Sequence, residues 1–207
     1  MSQTIICYDL DGTLIDSSLS IYKSLEFACY KEGVDIPEYK KFKSHIGPPL
    51  NIYLRNLIDI DNITQEKIIQ NFRQHHDTKG YLSYFLFEGV LYILNYFQKK
   101  GIKQYLITNK PPELTFKALH NLGIFKFFEK IYSANKYESK KKSKSYYIQE
   151  LKSKNNILYY VGDTKSDREE TKKSKSFFIF ANYGYGEVEY PDYEISKLSQ
   201  LVKIIKH

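Results

Sequence analysis

Short apolar runs alternate along this chain with longer stretches in which apolar residues recur every three to four positions. The runs are TIICYDL (4–10), IKQYLIT (102–108), KIYSA (130–134), ILYYVGD (157–163) and SFFIFAN (176–182). Each is bounded by turn residues and rich in β-branched or aromatic side chains, which predicts strands. Helical spacing covers 89–100, 112–122, 145–154, 166–174 and 196–206. Apolar strands separated by helices predict a parallel sheet covered on both faces, the doubly wound, Rossmann-like α/β fold.

One interval breaks this rhythm. Between the first strand and Gly89 there is no convincing strand, but helical spacing recurs at 17–32, 38–45, 50–58 and 64–79, punctuated by Gly33, Pro37 and the GPP of 47–49. A structureless loop of that length is implausible inside a compact domain. The expected organisation is therefore an α/β core from 1–15 and 85–207, with a helical subdomain inserted at 16–84. The most apolar segment, YLSYFLFEGVLYILNYF (81–97), is interrupted by Glu88, Gly89 and Asn95 and is short for a membrane span. It predicts a loop followed by a buried helix, and no membrane partner.

Composition adds little to this picture, with one exception. The chain has 207 residues, 42% of them hydrophobic, which is a globular balance. Its start lacks the basic and apolar regions of a secretory signal, so a cytoplasmic location is expected. Cys7 and Cys29 form no C-x-x-C pair and read as buried thiols. The exception is charge. The net charge is +7, and much of the excess sits in 136–154, where Lys136, Lys140, Lys141, Lys142, Lys144, Lys152 and Lys154 face Glu138 and Glu150. A run of this kind is usually a solvated face, and no aromatic platform accompanies it, so no nucleic-acid partner is expected.

The first run ends in Asp9 and Asp11. Alternate strand residues project to one side, so both carboxylates can face one spot at the carboxyl end of the strand, the edge at which open α/β sheets bind ligands. Gly12 lets the chain turn close to a ligand, and Thr13 offers a hydroxyl and an N–H. Other strand ends add Thr108 and Asn109, suited to hold phosphoryl oxygens, and Asp163 with Asp167 four residues on. Several acids around one point repel unless a hard cation sits among them, and Mg²⁺ prefers such oxygen ligands.

DLDGT (9–13), ITN (107–109), a lysine cluster before a helix and GDTKSD (162–167), in that order, resemble the four motifs of the haloacid dehalogenase superfamily of phosphohydrolases. The helical insertion after the first motif, with SHIGPPL at 44–50, resembles the cap of the phosphoglycolate-phosphatase-like subgroup. The resemblance implies a phosphatase acting on a small soluble phosphate ester. Asp9 would be the nucleophile that forms an aspartyl-phosphate, and Asp11 the acid that protonates the leaving alcohol and later activates water. Mg²⁺ would be held by Asp9, the carbonyl of Asp11 and Asp163, while Thr108 and a lysine would bind phosphoryl oxygens, with Gly12, Thr13 and Asn109 around them.

Two departures from the family pattern matter. Relatives often carry prolines after the lysine, and here none follows. Register with the helix, with Ile148 and Leu151 turned to the core, selects Lys144; alignment on the proline pattern selects Lys141, and Lys140 and Lys142 stay open. In LFEGV (86–90), Glu88 stands where relatives commonly have proline, and reads as a solvated acid. His45, His75 and His76 read as solvated or core residues of the insertion. Nine basic and nine acidic residues balance over 15–84, so the insertion announces no strongly charged substrate. A phosphosugar mutase would use the same acids, whereas a carbon–halogen hydrolase would have no use for Asp11. A binding protein with vestigial acids is the remaining alternative. A monomer or weak homodimer is expected.

Overall fold

The computed structural model describes residues 3–43, 46, 50–133 and 142–205. The chain divides into two compact units, 1–16 with 85–207, and 17–84. The first unit holds strands β1 (Gln3–Tyr8), β2 (Ile15–Asp16), β3 (Phe85–Leu86), β4 (Lys103–Ile107), β5 (Lys130–Tyr132), β6 (Asn156–Gly162), β7 (Phe177–Ala181) and β8 (Tyr193–Ile195). Six of them form one parallel sheet in the order β5-β4-β1-β6-β7-β8. It is the expected parallel α/β sheet, with one edge strand more than the sequence suggests. β8 has three residues, too few to show a period.

The strands are apolar on both sides because helices flank the sheet. Ile5, Ile6, Cys7 and Tyr8 of β1 are all buried, as are Leu158, Tyr159, Tyr160 and Val161 of β6. Alternate residues Ile5, Cys7, Leu158, Tyr160, Phe178 and Phe180 pack on one face with Ile148, the period of two that pleated strands impose. Ile148 belongs to the helix Lys144–Leu151, which ends three residues before the expected 154. On the sheet, Tyr8 donates its hydroxyl to Gln104 Oε1 at 3.1 Å, and Gln104 Nε2 donates to the Leu94 carbonyl at 2.9 Å, so the buried amide is satisfied. Cys7 and Cys29 are both buried and unpaired with each other, and burial pushes the Cys7 thiol up.

β2 and β3 form a two-residue antiparallel ribbon, with Ile15 opposite Leu86 and Asp16 opposite Phe85, where the chain leaves and re-enters this unit. The loop expected before Gly89 therefore contains this short strand; Glu88 is exposed, and Gly89 takes a φ of +84° as it starts the helix Val90–Lys99. The last helical stretch is a 3-10 turn at Leu198–Gln200 and one α turn at Leu201–Ile204, shorter than 196–206.

The second unit is helical: α1 (Ser18–Lys31), α2 (Tyr39–Lys43), α3 (Leu50–Leu57) and α4 (Asn62–His76). Leu25, Ala28, Cys29, Phe42, Leu54 and Ile68 form its own core. Asp61 caps α4 by accepting from the N–H groups of Ile63 and Thr64 at 2.8 and 3.0 Å. His76 is buried between Ser24 and Tyr84, at 3.1 and 2.7 Å, as a core histidine. His75 contacts Ser24, and His45 lies outside the described residues. Among the described residues no helix is long and apolar enough to cross a membrane.

Leu158 is fully buried on β6, whereas Leu91 on the helix after Gly89 is half exposed. Urea unfolding of Leu158→Ala should show a loss of about 2–5 kcal/mol. Leu91→Ala should stay within about 0.5 kcal/mol of the parent; equal losses would contradict the two-sided burial of the sheet.

Candidate active site

The carboxyl ends of β1, β4 and β6 converge on a buried cluster of charge. Asp9 follows β1 and is tied to β6 by its N–H, which donates to the Val161 carbonyl at 2.9 Å. Asp163 follows β6, and Asp167 lies in the first turn of the next helix, Lys165–Lys173. One carboxylate oxygen from each of Asp9, Asp163 and Asp167 lies within 4.8 Å of the other two. All three residues are buried.

Lys144, at the first position of its helix, enters this cluster. Ser143 caps that helix by accepting from the Tyr146 N–H. The Lys144 ammonium lies 2.6 Å from Asp167 Oδ1 and 2.8 Å from Asp9 Oδ1. The contact with Asp9 is an ion pair. Burial disfavours the ammonium, but Asp167 and Asp9 outweigh that and hold its pKa above the usual lysine value. Of the other candidate lysines, Lys142 is exposed over the Tyr146 ring, 4.7 Å from its centroid. Lys140 and Lys141 lie outside the described residues.

Asp167 has its acceptor capacity filled. Oδ1 takes the Lys144 ammonium and the Tyr160 hydroxyl at 3.4 Å; Oδ2 takes the Thr164 hydroxyl at 2.6 Å and the Thr164 N–H at 3.2 Å. A carboxylate offers about four lone-pair sites. Asp167 is thus a capping-box acid that also anchors Lys144, and its geometry leaves little for a metal.

Asp163 is held by the Thr13 hydroxyl on Oδ1 at 3.2 Å and by the Tyr185 N–H on Oδ2 at 2.9 Å. The backbone turns after β1 and β7 close over it. Gly12 has a φ of +81°, and a Cβ there would stand 2.1 Å from Asp163 Oδ2; a Cβ on Gly184 would stand 2.3 Å from Asp163 Cβ. Glycine at these positions is required by space, and at Gly12 by conformation as well. Thr13 is buried and uses its hydroxyl on Asp163 and its N–H on the Leu10 carbonyl, so it builds the turn.

Burial raises the Asp9 carboxyl to about 6, against the pull of Lys144 and with the push of Asp167. Burial, reinforced by Asp167 and Asp9, raises Asp163 well above the carboxylate range. Were all three carboxylates ionised, one ammonium would leave two negative charges unbalanced in a buried place. A divalent cation fits that deficit and that all-oxygen donor set.

β4 delivers the remaining groups. Thr108 is buried, and its Oγ1 accepts the Lys110 N–H at 3.1 Å. Asn109 is exposed. Lys110 is buried, and its ammonium lies 3.1 and 3.3 Å from the two oxygens of Asp11, whose side chain keeps 25% exposure. Sequence reasoning passed over Lys110. The signal was available: the alternation that puts Asp9 and Asp11 on one side also pairs Thr108 with Lys110 and turns Asn109 away.

The haloacid dehalogenase-like hydrolase family model matches residues 6–181. Curated relatives include the phosphoglycolate phosphatase of Aquifex aeolicus, 27% identical over 206 residues, covering 97% of this chain and 96% of that protein. The tyrosine-protein kinase PtkA of Mycobacterium tuberculosis is 26% identical over 195 residues, covering 92% of this chain and 66% of its own. A crystal structure from Clostridium difficile superposes with a TM-score of 0.88 at 24% identity, covering 99% of both chains. At that identity the superposition speaks to the fold.

Lys144→Met should leave Asp9 and Asp167 without their ammonium and lower the unfolding free energy by about 3 kcal/mol or more. Lys142→Met should change it by less than about 0.5 kcal/mol. Denaturant titration of both variants decides; equal stability would place the wrong lysine in the cluster.

Proposed function

The chain belongs to the haloacid dehalogenase-like hydrolase family and is an enzyme of its phosphatase type, and on that premise we propose that it hydrolyses a small phosphate monoester through an aspartyl-phosphate on Asp9. The observation that carries this reading is the buried pair of Asp9 and Lys144, 2.8 Å apart, beside a cluster of acids whose charge calls for a divalent cation.

Mg²⁺ would be held by Asp9, the Asp11 carbonyl and Asp163, and once bound it offsets the charge that otherwise keeps a carboxylate away from a phosphate. The chain's own groups do the rest. Lys144, fixed by Asp167, offers its ammonium to a phosphoryl oxygen beside the nucleophile. Thr108 accepts the Lys110 N–H, which leaves its own proton to donate to another phosphoryl oxygen. An Asp9 oxygen forms the new bond to phosphorus as the ester P–O bond breaks, and Asp11 transfers its proton to the departing alkoxide. Water then attacks the phosphoryl group while Asp11 takes the water's proton, inorganic phosphate leaves, and Asp9 is restored.

The helical unit of 17–84, read as a cap, sorts substrates. Phosphoglycolate, polyol or amino-alcohol phosphates, sugar phosphates and nucleoside monophosphates form the candidate class. The likeness to PtkA favours one second reading, transfer of the phosphoryl group to an acceptor other than water. A panel of small phosphate esters, assayed for inorganic phosphate with Mg²⁺ and with chelator, tests the proposal. Turnover should require the metal, and Asp9→Asn should lower it at least about a thousandfold. A mutant as active as the parent would sink the reading; ester consumption without free phosphate would favour the transferase.

A further inference from the structure

Lys110 is a buried cation whose place in the fold is unusually well fixed. It sits in the connection between β4 and the helix Pro112–Asn121, and two prolines follow it. Its N–H donates to Thr108 Oγ1 at 3.1 Å and its carbonyl accepts the Thr115 hydroxyl at 3.3 Å. Pro111 and Pro112 hold the backbone beyond it in narrow φ ranges. The stem of the side chain is thus clamped, and its ammonium reaches both oxygens of Asp11, at 3.1 and 3.3 Å.

Its side chain is 6% exposed, and desolvating an ammonium costs several kcal/mol, so a buried ion pair of this kind is weak evidence of a purely stabilising role. Asp11 is the less buried partner, and in the mechanism above it meets the leaving group. A carboxylate on a turn after a strand can rotate about two bonds, and proton transfer to an alkoxide demands reach within hydrogen-bond distance. Bracing both oxygens from one side restricts that rotation.

We propose that Lys110 is a positioning residue that acts through Asp11, holding its carboxyl group toward the leaving-group oxygen, so that its contribution is confined to esters whose alcohol needs a proton in order to depart. The inference rests on the assignment of Asp11 as the acid. A loosened site would slow every ester alike, whereas a misdirected acid slows only those with poor leaving groups.

The test compares kcat/KM, which reports the steps through alcohol release, for p-nitrophenyl phosphate and benzyl phosphate. These esters are of similar bulk, but the nitrophenolate leaves unaided and the benzyl alkoxide does not. Asp11→Asn should lower kcat/KM on benzyl phosphate about a hundredfold or more, with little change on the nitrophenyl ester. Lys110→Met should reproduce that selective loss, and Lys110→Arg, which keeps a cation on Asp11, should recover most of it. If Asp11→Asn discriminates between the esters and Lys110→Met slows both alike or neither, the inference on Lys110 is overturned while the acid assignment stands. If Asp11→Asn itself fails to discriminate, or the parent cleaves neither ester, the assignment falls and takes the inference with it. Should Lys110→Met not fold, Lys110→Gln carries the same comparison.

Discussion

Crowding of negative charge at the carboxyl edge of the sheet is the constraint on which the rest of this structure depends. Asp9, Asp163 and Asp167 approach one another within 4.8 Å in a buried place. Such a cluster cannot hold together as three anions, and the fold answers with one ammonium, that of Lys144, delivered by the first turn of a helix that packs Ile148 against the same sheet. The remaining deficit of two charges is what suits the site to a divalent cation. Burial, with the push of the neighbouring acids, raises the Asp9 carboxyl to about 6 and lifts Asp163 well above the carboxylate range.

The details around the cluster follow from keeping these groups apart and aimed. Asp167 is saturated by Thr164, Tyr160 and Lys144, and so it positions the lysine. Asp163 is pinned by Thr13 and the Tyr185 N–H while glycines at 12 and 184 make room for it. Asp11 is not among these three; it pairs with Lys110 and keeps a quarter of its side chain exposed. Two pairs of acid and lysine thus divide the site: one faces phosphorus in the proposed reaction, the other faces the departing oxygen.

Much of this was legible in the chain, and for physical reasons. Four of the six sheet strands have five to seven residues and read as apolar runs because both faces are covered; β5 has three but lies in the run KIYSA, whereas β8 and the two-residue ribbon of β2 and β3 are too short to carry a period. Asp9 and Asp11 stood out through their strand-end spacing, and helix register pointed to Lys144 while the proline pattern pointed to Lys141; Lys144 is buried beside Asp9, and Lys141 lies outside the described residues. Asp167 could not be resolved from sequence because a capping acid and a ligand are the same residue type at the same helix position. Lys110 was missed since a lysine before two prolines reads as a turn charge, and its burial arises only when the β4 turn folds against Asp11. Thr13 turned out to be occupied within the turn.

The central claim is that Asp9 receives the phosphoryl group. Rapid acid quenching during turnover of a good ester, followed by peptide mass spectrometry, tests it most directly. The account requires a labile phosphoryl adduct on Asp9 that forms and decays at the turnover rate in the presence of Mg²⁺. An adduct on another residue, or a burst of alcohol with Asp9 unmodified throughout, would contradict it.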